Sequence, residues 1–429
     1  MKKIYFLLSF CALISIANAQ PADKIITAAE VERIERVLSS DSLQGRGNFT
    51  PGIEKAGDFI AAEFKKSGLQ YFMGLNNYRQ QFSISRMKQI SAEGKFNDQP
   101  LTEKNIIALT TDTALSLNHN SGYQKIIISK DSDFKTEALK HLKSDKNLLV
   151  IIDTSFSAIF PALGRYTQES LPKKISVIFV LSSTDPAAYS LDIKKELKEQ
   201  MISNIVGVLP GKSKKDEYVI FSAHYDHMGI GRPNAKGDSI YNGANDNASG
   251  TTAVILLAKY FSQLKNNERT LIFAGFTAEE LGGFGSKYFS KQLNPGKIAA
   301  MFNIEMIGTE SKWGTNSAYV TGYEKSNFGK ILQSNLLNSK FRFEPDPYPK
   351  QDLFLRSDNA TLAALGVPAH TISTSKMDVA PNNEPNYHRP SDEIGTLDMN
   401  NMAEIIKAIA LSSVTIVNGK DTPSRVEKK

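Results

Sequence analysis

Two stretches, YVIFSAHYDH and RTLIFAGFTAEE, each run apolar for several residues and then break into a cluster of acids and imidazoles. Short apolar runs without polar alternation suit strands buried on both faces of a sheet. Between them, SGTTAVILLAKYFSQL has the length and spacing of a helix. AAMFNIEMIG, SAYVTGY and PAHTISTS continue the strands, while FGKILQSNLLN and MAEIIKAIALSSVTIV supply further helices. Such alternation predicts an α/β fold with a mostly parallel sheet and helices on both of its faces.

Upstream the pattern changes twice. TAAEVERIERVLSS and PGIEKAGDFIAAEFKKSGL have helical periodicity on either side of the turn GRGNFTPG, and Ala56, Phe59, Ile60 and Phe64 share one face of the second helix. Residues 76–200 are mixed, with short candidate strands at KIIIS, NLLVIID and KISVIFVLS and no cluster of chemistry. We read this region as an inserted or degenerate, smaller α/β subdomain. The expected organisation is a helical lead-in over 20–75, the insertion over 76–200, the main α/β domain over 201–420 and a solvated tail over 421–429.

The first residues, MKKIYFLLSFCALISIANAQ, read as a secretory signal. Lys2 and Lys3 precede an apolar stretch, which ends in the small-residue pattern Ala17, Asn18, Ala19. The stretch is shorter than the roughly 20 residues that span a bilayer. Cleavage is expected after Ala19, and with it a secreted or periplasmic protein without an integral membrane segment. The single cysteine, Cys11, lies inside this leader. A mature chain without disulfides draws its rigidity from burial or metal ligation. The net charge of +6 falls by two with Lys2 and Lys3. What remains is too mild and too scattered for a nucleic-acid partner.

In open parallel sheets, functional groups gather at the carboxyl ends of strands. His224 and Asp226 follow VIFSA, and Asp246 sits in NGANDNASG ahead of a helix. Glu279 and Glu280 follow LIFAGFTA, Glu305 ends MFNI, and His388 lies in NYHRPSDE. Imidazole nitrogen with carboxylate oxygen, and no thiolate, suits zinc or a similar divalent ion. Two ions about 3.5 to 4 Å apart need a shared carboxylate, a place Asp246 is positioned to take. Adjacent glutamates then make sense. One is neutralised by ligation, and the other stays free as a base toward water.

AHYDH, NGANDNASG, FTAEELGGFGS, NIEMIG, RSDNATLAALGVPA and YHRPSDE, in this order, resemble the zinc-dependent M28 metallopeptidases. That family includes bacterial aminopeptidases and glutamate carboxypeptidase. The resemblance covers about residues 204–415 and implies a zinc-exopeptidase-like fold, peptide substrates and two Zn2+ ions. It assigns His224 and Glu305 to one ion, Glu280 and His388 to the other, and Asp246 to the bridge. Glu279 would be the general base and Asp226 the residue that orients His224. A cis peptide after Asp246 is also implied. Two positions depart from the pattern. Glu305 stands where aspartate is common, which calls for a small backbone retreat. Asn359 and Leu362 stand where a histidine and an aromatic residue are frequent.

Other polar residues receive plainer readings. Strand alternation points His227 away from His224, toward a structural or surface role. His370 in VPAHTIST reads as a core group. Asp358 either stabilises a loop or positions a ligand, and Tyr387 either packs or donates a hydrogen bond to the reacting centre. The function expected is that of an exported di-zinc aminopeptidase. A glutaminyl cyclase with a single zinc, a carboxypeptidase and a non-enzymatic binding ectodomain are the alternatives.

Overall fold

The computed structural model describes residues 21–378 and 385–428. The expected signal and its cleavage after Ala19 lie outside the described residues. Four parallel strands form the centre of a 12-stranded sheet. They are β1 (Lys214–His224), β2 (Arg269–Phe276), β3 (Ile298–Ile304) and β4 (Ala369–Ser373), in the spatial order β2-β1-β3-β4. Beyond β4, strand Ser317–Val320 is antiparallel and Arg342–Pro345 pairs parallel to it. Beyond β2, the strand Tyr189–Leu209 is antiparallel. The fold is therefore the mixed, mostly parallel α/β sheet that the apolar runs predict.

Alternation along these strands feeds two cores. Phe221, Leu271, Phe273 and Phe302 face a layer built from helices α1 (Ala28–Leu38), α2 (Pro51–Lys66), α3 (Ser249–Leu264) and α4 (Met399–Ser412). Their neighbours Ile220, Ile272 and Met301 face the opposite layer, with Phe289 and Leu362. Leu362 thus packs in the core. Helix α3 is buried along nearly its whole length because its sequence is apolar on all sides, while α1 is capped by Thr27, whose side chain accepts from Glu30 N at 3.2 Å.

The insertion hangs from a two-stranded ribbon. Strand Arg79–Phe96 runs antiparallel to Tyr189–Leu209 along its whole length, with a register shift between Lys194 and Lys195. The ribbon carries a separate four-stranded sheet, ordered Ile106–Leu109, Val177–Leu181, Leu148–Ile152, Gln124–Ile128. The three short strands expected from the sequence are all in it. The expected boundary at residue 200 falls inside one uninterrupted strand.

The C-terminal residues do not form the solvated tail expected from their charge. Val426 is buried, and Arg425 donates through Nη1 to Ile298 O at 2.8 Å and through Nη2 to Pro295 O at 2.9 Å. The buried Pro423 and Val426 and the backbone-directed guanidinium of Arg425 dock the segment. Among the described residues, no helix is long and apolar enough to cross a membrane.

Candidate metal centre

His224 is the last residue of β1, and Glu305 follows the last residue of β3. Glu279 and Glu280 follow β2 by two intervening residues, Thr277 and Ala278. The parallel register of these strands places their carboxyl ends side by side. Asp246 comes from the loop ahead of α3, and His388 from the loop ahead of α4. The peptide bond between Asp246 and Asn247 is cis.

The donors fall into two sets that share Asp246. His224 Nε2 lies 3.3 Å from Asp246 Oδ1 and 3.1 Å from Glu305 Oε1. His388 Nε2 lies 3.2 Å from Asp246 Oδ2 and 3.2 Å from Glu280 Oε2. Each oxygen of one carboxylate thus faces a different imidazole. Ligand atoms about 2.0 to 2.2 Å from a common tetrahedral ion sit at such separations from one another. The donors of His224, Asp246 and Glu305 lie within 4.8 Å of one another, as do those of His227, Asp246 and Glu280. The donor chemistry and its spacing fit zinc.

Glu305 reaches the site despite its extra methylene. Its Oε2 accepts from Ser357 Oγ at 2.6 Å, its backbone N–H donates to Ile372 O at 3.1 Å, and the chain turns at once through Met306 at φ +48°. The Asp226 carboxylate binds the segment that carries the two glutamates. Its Oδ1 accepts from Glu279 N at 3.1 Å, and its Oδ2 from Glu280 N at 3.3 Å and from Asn48 Nδ2 at 2.7 Å. His224 Nδ1 is closest to the Asp226 backbone carbonyl, at 3.1 Å, with the carboxylate at 3.7 Å.

His227 belongs to the site, contrary to the alternation argument. The strand ends at His224, so the pleat no longer governs residue 227. Its ring is 1 % exposed, with Nδ1 2.9 Å from Glu280 Oε1 and 3.9 Å from Asp246 Oδ2. Gly243, at φ +56°, makes room for it, since a Cβ there would lie 2.5 Å from the imidazole. A histidine immediately after a strand-end H-x-D was the available signal. Arg46, read as part of a turn, is the other unanticipated residue. Fully buried, it donates to the carbonyls of Leu38, Tyr225, Asn242 and Gly243 at 2.5 to 2.8 Å and to Asp246 O at 3.4 Å. The lead-in is thereby fastened to the end of β1 and to the loop that carries Asp246.

The charges follow from crowding. Burial raises the Glu279 carboxyl well above the usual range, and Asp358, Glu305 and Glu280 add to the effect against His224. Burial also raises Asp358, to about 7. Glu280 is held at about 2, because His227 and His388 outweigh burial and the nearby Asp246 charge. His388 rises to about 10 against burial, through Asp246 and Glu280. One of the adjacent glutamates is thus ionised among imidazoles, and the other favours a proton.

The remaining candidates are also placed. Tyr387 stacks on His388, with ring centroids 3.9 Å apart. It helps line a cavity of about 90 Å3 beside the donors, with Tyr319, Leu353, Arg356 and Met377. Asn359 is buried and bonds Phe354 O, Ala369 O and Thr371 Oγ1, so it ties a loop to β4. His370 is a core group between Ser326 Oγ and Thr321 O, 2.8 Å from each.

Residues 204–413 match the model of peptidase family M28. Aminopeptidase YwaD of Bacillus subtilis is 23% identical over 467 aligned positions, covering 100% of this chain and 97% of that protein. The solved structure of BSAP, a zinc aminopeptidase from Bacillus subtilis, aligns with a TM-score of 0.56 at 18% identity, over 92% of this chain and 95% of that one. An aminopeptidase from Aneurinibacillus sp. strain AM-1 aligns with a TM-score of 0.55 at 17% identity, over 95% and 96%.

Proposed function

Because the chain belongs to peptidase family M28 through residues 204–413, we propose that it is an exported di-zinc aminopeptidase. The observation that carries the two-ion reading is the split of Asp246, whose Oδ1 faces His224 and whose Oδ2 faces His388. Release of terminal residues is supported by the narrow cavity of about 90 Å3 and by the aminopeptidase relatives that align over nearly the whole chain. Export rests on the leader pattern of residues 1–19.

His224 and Glu305 would hold one ion, Glu280 and His388 the other, and Asp246 both. Zinc, when bound, supplies positive charge that acidifies water and polarises a peptide carbonyl. The protein's own part is proton handling and alignment. Glu279 takes a proton from water and returns it to the leaving amine, a role that its high proton affinity supports. Asp226 fixes the backbone of Glu279 and Glu280 together, so that base and ligand keep their relative positions.

Metal analysis combined with cleavage direction tests the reading. Two zinc ions per chain, with turnover of aminoacyl amides and none of N-blocked peptides, is the expected result. One ion per chain with ring closure of N-terminal glutamine would replace it with a glutaminyl cyclase. Turnover of N-blocked peptides alone would reverse the direction of attack.

A further inference from the structure

A second cleft, of about 1030 Å3, lies between the two-stranded ribbon and the insertion and shares no lining residue with the cavity at the metal centre. Lys195 forms part of its wall. In the strand Tyr189–Leu209 it takes the inward position that Tyr189, Leu191 and Ile193 hold before it, and it is only 6 % exposed. Its Nζ donates to Ala108 O at 2.5 Å. Burial alone shifts its ammonium, down to about 8, with no acid opposing the shift. An ammonium buried without a counter-charge is costly, and such a group calls for an explanation.

The surrounding charge points the same way. Arg86 and Glu169 pair at 3.4 Å and cancel. Among the other charged residues that line the cleft, Lys88, Lys104, Lys195 and Lys198 outnumber Glu103 and Glu196, and Lys88 and Glu196 are cross-strand neighbours within the ribbon. The adjoining strand edge offers no place for a main chain to pair. Gln89 occupies it, donating to Ile106 O at 2.9 Å and accepting from Ala108 N at 3.2 Å, and Lys195 takes the next carbonyl. An occupant is therefore selected by its side-chain charge, and a cleft of this volume holds several residues rather than a lone ion. We propose that this cleft binds an acidic segment of a peptide chain, with Lys195 as the buried counter-charge to one of its carboxylates.

The test reads binding and not turnover, so its outcome is independent of the reaction proposed above. A tetraglutamate peptide, blocked by fluorescein at its N-terminus and amidated at its C-terminus, is titrated with the full chain by fluorescence anisotropy. The controls are the tetraglutamine analogue and inorganic phosphate as competitor. At pH 7 the acidic peptide is expected to bind at least about tenfold more tightly than the neutral one, and to weaken as pH rises past 8. Lys195→Met is expected to lose about tenfold, with a thermal unfolding midpoint no lower than the parent's, since it removes a buried charge. Should that variant not fold, the exposed pair Lys88→Gln and Lys198→Gln together decides, with an expected loss of about threefold. Equal affinity for the two peptides, or no effect of these substitutions, overturns the proposal. Phosphate binding without peptide binding overturns it too.

Discussion

Ser357 donates its hydroxyl to Glu305 Oε2 at 2.6 Å, which leaves Oε1 facing His224 Nε2 at 3.1 Å. The longer arm of glutamate has more rotameric freedom than an aspartate would, and this single hydrogen bond removes much of it. On the two-ion reading proposed above, Ser357→Ala is therefore expected to weaken the ion assigned to His224 and Glu305 by about tenfold while leaving the other ion in place. Chelator competition, followed as ions retained per chain, checks this. Simultaneous loss of both ions, or of neither, refutes it.

Arg46 is expected to be the most costly residue to replace outside the centre. Lysine keeps the charge but cannot reach five carbonyls on three segments, so Arg46→Lys strands both a buried cation and buried acceptors. The expected loss is about 3 kcal/mol or more in denaturant unfolding, accompanied by reduced metal content. A variant as stable as the parent would show that the carbonyls find other partners.

Much of this centre was legible because the chain writes it at strand ends. Once β1, β2 and β3 are recognised as apolar runs, the polar residues that close them must lie on one rim. His227 and Arg46 were not legible for the opposite reason. One sits just past the end of a pleat, and the other in a turn whose partners lie up to 200 positions away. The long ribbon was missed because RQQFSISRMKQISAEGKF alternates in burial but carries charges throughout, as a strand with one face in solvent does. Lys195 was hidden by the same pattern, as a charged residue at a position the alternation reserves for apolar ones.

Glu279→Gln should separate chemistry from binding. Glutamine keeps the shape but cannot accept the proton, so turnover falls by about 100-fold or more. Metal content is expected to stay near that of the parent, since Glu279 takes no part in the two donor sets. Residual turnover close to the parent's would remove Glu279 from the base role.

Glu35 gives the protein a pH-dependent share of its stability away from the centre. Burial pushes its carboxyl up to about 8, against the Thr252 hydrogen bond and the Arg46 charge. The unfolded chain releases that proton near 4.5. The folded state thus binds the extra proton between these limits, and the stabilisation is complete below the lower one and lost as pH rises through about 8. Glu35→Gln is neutral at every pH and removes this slope. Between pH 5 and 9, wild-type unfolding free energy is expected to fall by at least about 1.4 kcal/mol more than the variant's, the equivalent of one pKa unit. Parallel curves would contradict the assignment.

His227 and Glu280 supply the last prediction. Glu280 is ionised, held at about 2, so it can only accept, and His227 Nδ1 must carry the proton in their 2.9 Å contact. That bond fixes one oxygen of Glu280 while the other faces His388 at 3.2 Å. His227→Asn can place its amide nitrogen near the position of Nδ1, whereas His227→Ala leaves Glu280 free to turn. On the two-ion reading proposed above, alanine is expected to weaken the ion assigned to Glu280 and His388 by about 10-fold to 100-fold, with asparagine recovering most of it. Chelator competition, followed as ions retained per chain, reads the effect. If alanine and asparagine retain both ions equally, the hydrogen bond does not position the ligand.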